Sequence, residues 1–436
     1  MINTARVILW GRIIGAVTWD ERREVGVFQY NREFLNSGIQ LSPLMMPLNE
    51  FNYEFPALSK ETYHGLPGLL SDSLPDKFGN MIINAWLASQ GRNIESFSPV
   101  ERLCYIANRG MGGLEFEPGI LEPFSNAKVI EVANLVDLSN KIIKHRADLV
   151  GVLNGPDDRE AIENILRVGT SAGGARAKAV LAWNPKTNEF RSGQLHALPE
   201  FEQWILKFDG INDNKDKELA DPQGFGKIEY AYSMMAKEAG LEMTECRLHN
   251  EGGRSHFMTK RFDRTDHGKK IHMQSLCAIT HVDFNQIGAY SYEETLVVMK
   301  RMGLSRIDLE QQVVRAVFNI MARNQDDHVK NIAFLMNPAG EWRLSPAFDI
   351  SYAYDPLGRW TSQHQMWLNG KRDHFTKDDL AAFAELGGIK PGKANDMIDR
   401  VYEAVRRWGE FADKAGVDEN TSENIKRAQR LYLCEN

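Results

Sequence analysis

Cysteine is scarce in this 436-residue chain, and its four copies, Cys104, Cys246, Cys277 and Cys434, stand apart without a Cys-x-x-Cys pair. That spacing argues against a disulfide framework and against a thiolate zinc cluster, and it suits a reducing cytoplasm. Excess positive charge is also missing. The formal net charge is −7, so an unaided grip on DNA is not expected. No apolar run near the start is long enough for a signal peptide or a spanning helix, which makes secretion and membrane residence unexpected. The eleven histidines form no His-Glu-x-x-His pattern and no Gly-x-Ser-x-Gly elbow occurs, so metalloprotease and esterase chemistry have little support. Internal repeats and low-complexity tracts are absent as well.

What remains is the composition of a large soluble enzyme. Hydrophobic residues at 43% and charged residues at 25% are ordinary for globular proteins, and 436 residues call for two or more packed lobes. Residues 7–19 read as a hairpin broken at Gly11, with another strand at 25–30. A Gly/Pro/Asp/Ser-rich connection at 65–79 leads into a helical pattern at 80–90, completing a small α+β N-terminal part. Helical periodicity at 134–154 and 158–166 precedes a glycine-rich stretch, 169–178, that opens into a strand at 179–183. A strand at 202–208, a charged connection at 211–221 and a helix at 226–239 capped by Gly240 follow. Residues 256–262 read as a strand. Beyond them nearly everything is helical, including 291–302 and 308–321, except for the loop and strand region 324–350.

The chemistry-bearing residues concentrate in a few places. The run Asn324-Gln325-Asp326-Asp327-His328-Val329-Lys330-Asn331 is a loop crowded with carboxylate, amide and basic groups. A phosphotransferase needs a carboxylate to orient and deprotonate the attacking hydroxyl, and a hard oxygen ligand a few residues on to hold Mg²⁺. Asp326 and Asn331 have that chemistry and spacing, although a capped, solvated helix-to-strand turn would look similar. Asp349 follows a second strand-like stretch at 341–344. If that stretch pairs with 332–336 through a turn at 337–340, Asn331 and Asp349 come together as hard oxygen ligands; a plain turn-forming aspartate after Pro346 is the alternative. Lys207 sits in a strand among large apolar residues, either on an exposed edge or aimed at phosphates. The loop Ser171-Ala172-Gly173-Gly174-Ala175-Arg176-Ala177-Lys178 lets backbone N–H groups approach phosphates, yet it fits neither Gly-x-Gly-x-x-Gly nor the Walker pattern, and a flexible turn would read alike. The pair Lys269-Lys270 reads as solvated surface.

Taken in order, the glycine loop, the strand lysine, Asp326-Asp327-His328-Val329-Lys330-Asn331 and Ser345-Pro346-Ala347-Phe348-Asp349-Ile350 resemble the HipA family of toxin kinases. Supporting segments are Phe34-Leu35, Leu41-Ser42-Pro43, Ser73-Leu74-Pro75-Asp76 and Arg109-Gly110-Met111-Gly112-Gly113. The resemblance implies an α/β (α+β), protein-kinase-like two-lobed fold. Its parts would be a small N-terminal α+β subdomain (1–125), a nucleotide-binding lobe (126–265) and a mostly helical C-terminal lobe (266–436). It implies ATP and Mg²⁺ as cofactors, Asp326 as catalytic base, Asn331 and Asp349 as metal ligands, and Lys207 as the lysine on the ATP phosphates. Residues Ala172, Gly173, Gly174, Ala175, Arg176, Ala177 and Lys178 would line the nucleotide, with His328 and Lys330 in the catalytic loop and Lys260, Arg261 and Phe262 as the hinge beneath the adenine. Ser171 would be the autophosphorylated regulatory serine, a choice over Thr170 that rests on the resemblance. Arg176-Ala177 departs from the Gln-Glu of the best-known member.

A separate helix-turn-helix antitoxin, HipB-like, would contact operator DNA on the chain's behalf, and the protein substrate would be of the aminoacyl-tRNA synthetase kind. Competing readings are a catalytically idle, antitoxin-binding corepressor and a small-molecule kinase. Glu229 is a candidate partner for Lys207, against a plain surface position on its helix.

Overall fold

The structure, a computed structural model, describes residues 2–120, 130–144, 176–193, 200–210 and 223–435. The chain divides into two compact units. The first comprises residues 1–42, 46–226 and 246–273, and the second residues 43–45, 227–245 and 274–436.

The first unit holds two antiparallel five-stranded sheets. Strands β1 (Thr4–Leu9), β2 (Arg12–Asp20), β3 (Val25–Tyr30), β4 (Asn52–Tyr53) and β5 (Leu114–Glu117) form one, in the order β4-β3-β2-β1-β5. The expected hairpin is present. Trp10 and Gly11 both take positive φ, 50° and 75°, which is the backbone a tight two-residue turn between twisted strands requires. The second sheet is built from β6 (Lys178–Trp183), β7 (Phe190–Ser192), β8 (Glu202–Lys207), β9 (Cys246–Glu251) and β10 (Arg254–Lys260), in the order β7-β6-β8-β10-β9. Because side chains alternate between faces, Ala179, Leu181, Trp183, Trp204, Leu206 and Met258 share one core with the helices Lys77–Ser89 and Val132–Lys144. The strand β9 was not legible: its Cys-Arg-Leu-His-Asn-Glu lacks the alternation of a half-buried strand, as fits an edge position.

The second unit is mostly helical, as the sequence implies. The helix Phe225–Glu238 ends before Gly240 at φ 92°. The helices Tyr292–Arg301 and Arg306–Met321 each begin with a reciprocal capping box, Ser291 with Glu294 and Ser305 with Asp308. Helix Arg306–Met321 is the spine, packing against Tyr292–Arg301, Lys377–Leu386 and Pro391–Arg406. Strands β11 (His272–Ser275), β12 (Ala333–Met336) and β13 (Trp342–Leu344) form a small sheet. β12 and β13 pair antiparallel with Phe334 opposite Leu344 and Met336 opposite Trp342, the hairpin anticipated between Asn331 and Asp349. No helix among the described residues is long and apolar enough to cross a membrane.

Candidate active site

In the first unit, the residues of interest lie on the face of the β7-β6-β8-β10-β9 sheet opposite its apolar core. Lys178 stands directly across from Lys207, and Lys207 directly across from Phe257, so these three side chains share one face. Both lysines are buried, Lys178 at 3% and Lys207 at 9% exposure, which removes the exposed-edge reading of Lys207. Two like charges held opposite one another destabilise a sheet unless an anion shares them. One partial counter-charge is Asp76, 3.8 Å from the Lys178 ammonium and fixed by capping the helix Lys77–Ser89 through the Gly79 N–H (2.6 Å). The Arg176 guanidinium lies over the Phe225 ring at 3.5 Å, and the Ala177 carbonyl accepts from Phe208 N–H (3.1 Å). Ser171 and residues 172–175 fall outside the described residues, as do 145–166 and 211–221.

At the end of β10 the three hinge candidates are differently engaged. Lys260 pairs with Glu202 (3.3 Å) and Asp266 (3.4 Å), and Phe262 is partly buried. The Arg261 guanidinium is committed to Asp263 (2.8 and 2.7 Å) and its N–H to the Gln203 carbonyl (2.9 Å). Burial would raise the Asp263 carboxyl, but Arg261, Arg264 and the Gly112 N–H (2.7 Å) outweigh it and hold it well below the usual carboxylate range.

In the second unit, residues 324–328 lead into a short 3-10 turn, Val329–Asn331, and burial alternates along the segment. Gln325, Asp327 and Val329 are buried, while Asp326, His328 and Lys330 are partly exposed. The Asp326 carboxylate is 50% exposed and its Oδ1 lies 3.5 Å from His328 Nε2. Asn331 donates its side-chain N–H to the Asp326 carbonyl (2.8 Å), which leaves its Oδ1 as the atom suited to a hard cation. Asp349 sits in the left-handed region at φ 52°, a backbone that aspartate tolerates better than most residues and that tends to be kept where a side chain must be aimed. Asp326, Asn331 and Asp349 line one recess. Lys330 and His328 flank the Phe284 ring at 5.2 and 5.3 Å.

Arg315, which no motif in the sequence singles out, also lines this recess. It is 2% exposed and donates through Nη2 to the Ser345 carbonyl (2.8 Å), while Nε and Nη1 meet no hydrogen-bond partner among the described residues. Burial lowers its pKa to about 10, against Tyr292 and Glu242, so it keeps its charge at neutral pH. A positive charge behind three oxygen-bearing side chains offsets their mutual repulsion. Only helical spacing from Asn319 hinted at it. Glu229 is 3% exposed, so the surface position expected for it is corrected. Among the described residues no group of three or more His, Cys, Asp or Glu side chains could hold a metal by itself. An Asn–Asp pair instead suits Mg²⁺, which keeps water and substrate phosphates in its shell.

A model of the HipA-like C-terminal domain matches residues 170–408, more than half of the chain, and a model of the HipA N-terminal domain matches residues 5–117. The chain belongs to the HipA family. Over 99% of both chains it is 24% identical to a Sinorhizobium fredii (strain NBRC 101917 / NGR234) protein named "Putative kinase Y4mE". It also resembles a structure of the Shewanella oneidensis MR-1 toxin–antitoxin system, HipA with HipB and its operator DNA. The TM-score is 0.66 at 18% identity, covering 98% of this chain and 96% of that one. The mixed α/β fold expected from the sequence is the fold this chain shares with that HipA structure.

Proposed function

We propose that this HipA-family chain is a serine/threonine protein kinase that uses ATP and Mg²⁺ and acts as the toxin of a toxin–antitoxin pair. The observation that carries the reading is the convergence of Asp326, Asn331 and Asp349 on one recess, with Asp326 kept accessible while its neighbours are buried. Asp326 accepts the proton of the substrate hydroxyl as its oxygen bonds to the γ-phosphorus and the bond to the β,γ-bridging oxygen breaks, releasing ADP. Asn331 and Asp349 would hold Mg²⁺, which would supply charge neutralisation for the phosphoryl group. Lys207 and Lys178 supply the point charges for the nucleotide phosphates, and Lys260, Arg261 and Phe262 the adenine side, where Arg261 serves through position rather than through its engaged guanidinium. His328 and Lys330 belong to the same catalytic loop as Asp326.

The net charge of −7 favours DNA contact through a HipB-like antitoxin, as in the assembly named for the Shewanella protein. An aminoacyl-tRNA synthetase is the substrate class that the family implies. Phosphate on Ser171 would add about −1.5 to −2 charges beside Gly173 and Gly174 and repel the ATP phosphates, silencing the enzyme.

The test is incubation of the purified chain with labelled ATP and Mg²⁺, followed by mass spectrometry. Transfer to serine or threonine, with Ser171 modified and Asp326→Asn unmodified, is expected. A folded chain that binds Mg·ATP and modifies no protein in the presence of its antitoxin-free targets refutes the kinase reading. Labelled small molecules in a lysate would instead establish the small-molecule alternative.

A further inference from the structure

The final helix, Glu419–Ala428, delivers one residue into the interior of the second unit. Arg430 follows it, is 0% exposed, and donates its main-chain N–H to the Met321 carbonyl (2.9 Å) at the end of the helix Arg306–Met321. Its Nη1 donates to the Ile320 carbonyl (2.7 Å) and to His364 Nε2 (2.9 Å), and its Nη2 to Gln325 Oε1 (3.0 Å) and Asp373 Oδ1 (2.7 Å). A guanidinium has only donors, so His364 Nε2 must accept and the ring proton must lie on Nδ1. That proton points at Asp327 Oδ2, 2.7 Å away. Asp327 is completed by the Tyr292 hydroxyl (2.8 Å) and the Gln365 N–H (2.7 Å).

Gln325 and Asp327 are the two neighbours of Asp326. Arg430 holds the first directly and the second through His364. Gln325 is further fixed by its N–H to the Ala353 carbonyl (3.1 Å) and its side-chain amide to the Thr361 carbonyl (3.0 Å). An arginine buried at this depth is costly compared with a leucine of similar volume, and a tail that merely packed would not need it. The charge fits a place where several hydrogen-bond acceptors from separate segments must be gathered onto one rigid fork.

We propose that Arg430, with His364 as its intermediary, is a positioning residue that locks both flanks of Asp326, so that the end of the chain sets the geometry of the catalytic loop. The proposal deepens the kinase reading and rests on it for its kinetic part, but the lock itself is observable without activity.

The experiment compares Arg430→Gln, His364→Gln and His364→Leu in the full chain. Phosphate transfer from ATP to the chain itself and to casein is followed together with hydrogen exchange of the peptides spanning 322–336. Arg430→Gln should lower kcat about 100-fold, the size of a small misplacement at a reacting centre, with KM for ATP within about threefold. The amides of 324–331 should exchange at least about tenfold faster while those of helix Pro391–Arg406 keep their protection. His364→Gln can still donate to Asp327 and accept from Arg430, so it should retain kcat within about tenfold, whereas His364→Leu should fall as far as Arg430→Gln.

Unchanged kcat and loop exchange in a folded Arg430→Gln overturn the proposal. So does a lowered Tm with exchange rising everywhere and kcat intact at low temperature, the mark of a purely structural role. Should Arg430→Gln not fold, equal kcat for His364→Gln and His364→Leu overturns it. A wild-type chain that transfers no phosphate defeats the kinase reading instead, and the loop exchange then decides the lock alone.

Discussion

Lys178 and Lys207 owe their places to main-chain pairing, whereas Asp326 and its neighbours are held by side chains drawn from far along the sequence. In the sheet, the register of β6, β8 and β10 puts both lysines and Phe257 on one face and sends Trp204 and Leu206 to the other. A slip of one residue would exchange the two faces, so the apolar core enforces the lysine positions as a by-product of its own burial. In the loop there is no ladder to do this. Residues Tyr292, His364, Gln365 and Arg430 take its place, each contributing a hydrogen bond to Gln325 or Asp327, the buried neighbours of Asp326, while Asn319 donates to the Tyr292 hydroxyl behind them. The lysine positions thus follow from apolar burial, whereas the position of Asp326 depends on a network of buried polar residues.

The largest effect expected from that contrast is for Asp326→Asn. It should reduce phosphoryl transfer by about a thousandfold or more, yet leave Tm nearly unchanged, because the change is isosteric and the carboxylate is half exposed. A clear loss of Tm would show that Asp326 itself supports the loop. Next comes Asp263→Asn, at a place where the first unit copies the loop's strategy. It strands the Arg261 and Arg264 guanidiniums in the interior and should cost about 3–5 kcal/mol in a denaturant titration. A cost near zero would mean that strand pairing alone holds this end of β10.

His256 gives the pH counterpart. Burial, with His249 and Arg254 nearby, lowers its pKa from 6.5 to about 4, and its Nδ1 accepts the Asp209 N–H at 2.9 Å. Below pH 6.5 the unfolded chain takes up a proton that the folded chain refuses, so stability falls as pH drops from 6.5 towards 4, by a total on the order of 3 kcal/mol from this group. Urea midpoints measured across that range should be flatter for His256→Asn. An identical slope in the variant would remove His256 from the account.

For Lys207→Met the expectation is a KM for ATP raised about tenfold or more, since the nucleotide phosphates lose a point charge in a buried site. An unchanged KM for ATP would remove Lys207 from the phosphate site. The smallest effect is for Tyr292→Phe, which deletes one hydrogen bond to Asp327 and one from Asn319. A loss of about 1–2 kcal/mol with a modest change in kcat is expected from calorimetry and steady-state rates. A loss of activity matching Asp326→Asn would make Tyr292 part of the chemistry rather than of its support.

Much of this was legible locally. The hairpin at Trp10-Gly11, the strands around Lys207, the capped helix ahead of Asn324 and the pairing of β12 with β13 all follow from periodicity and turn residues close in sequence. β9 and β11 were not, because Cys246–Glu251 and His272–Ser275 are short and polar and are strands only by virtue of their neighbours. The buried Glu229 was misread for a related reason: a glutamate on a helix looks solvated until something packs over it.

The sequence by itself determined which residues could carry phosphoryl transfer, since carboxylate, amide and lysine chemistry is written in their types and local spacing. Tertiary structure alone decided how Asp326 is held. Asp327, His364 and Arg430 are 37 and 66 residues apart in steps along the chain, and no periodicity links them. Their meeting is a matter of burial, because polar groups taken out of water must find partners wherever the fold brings them.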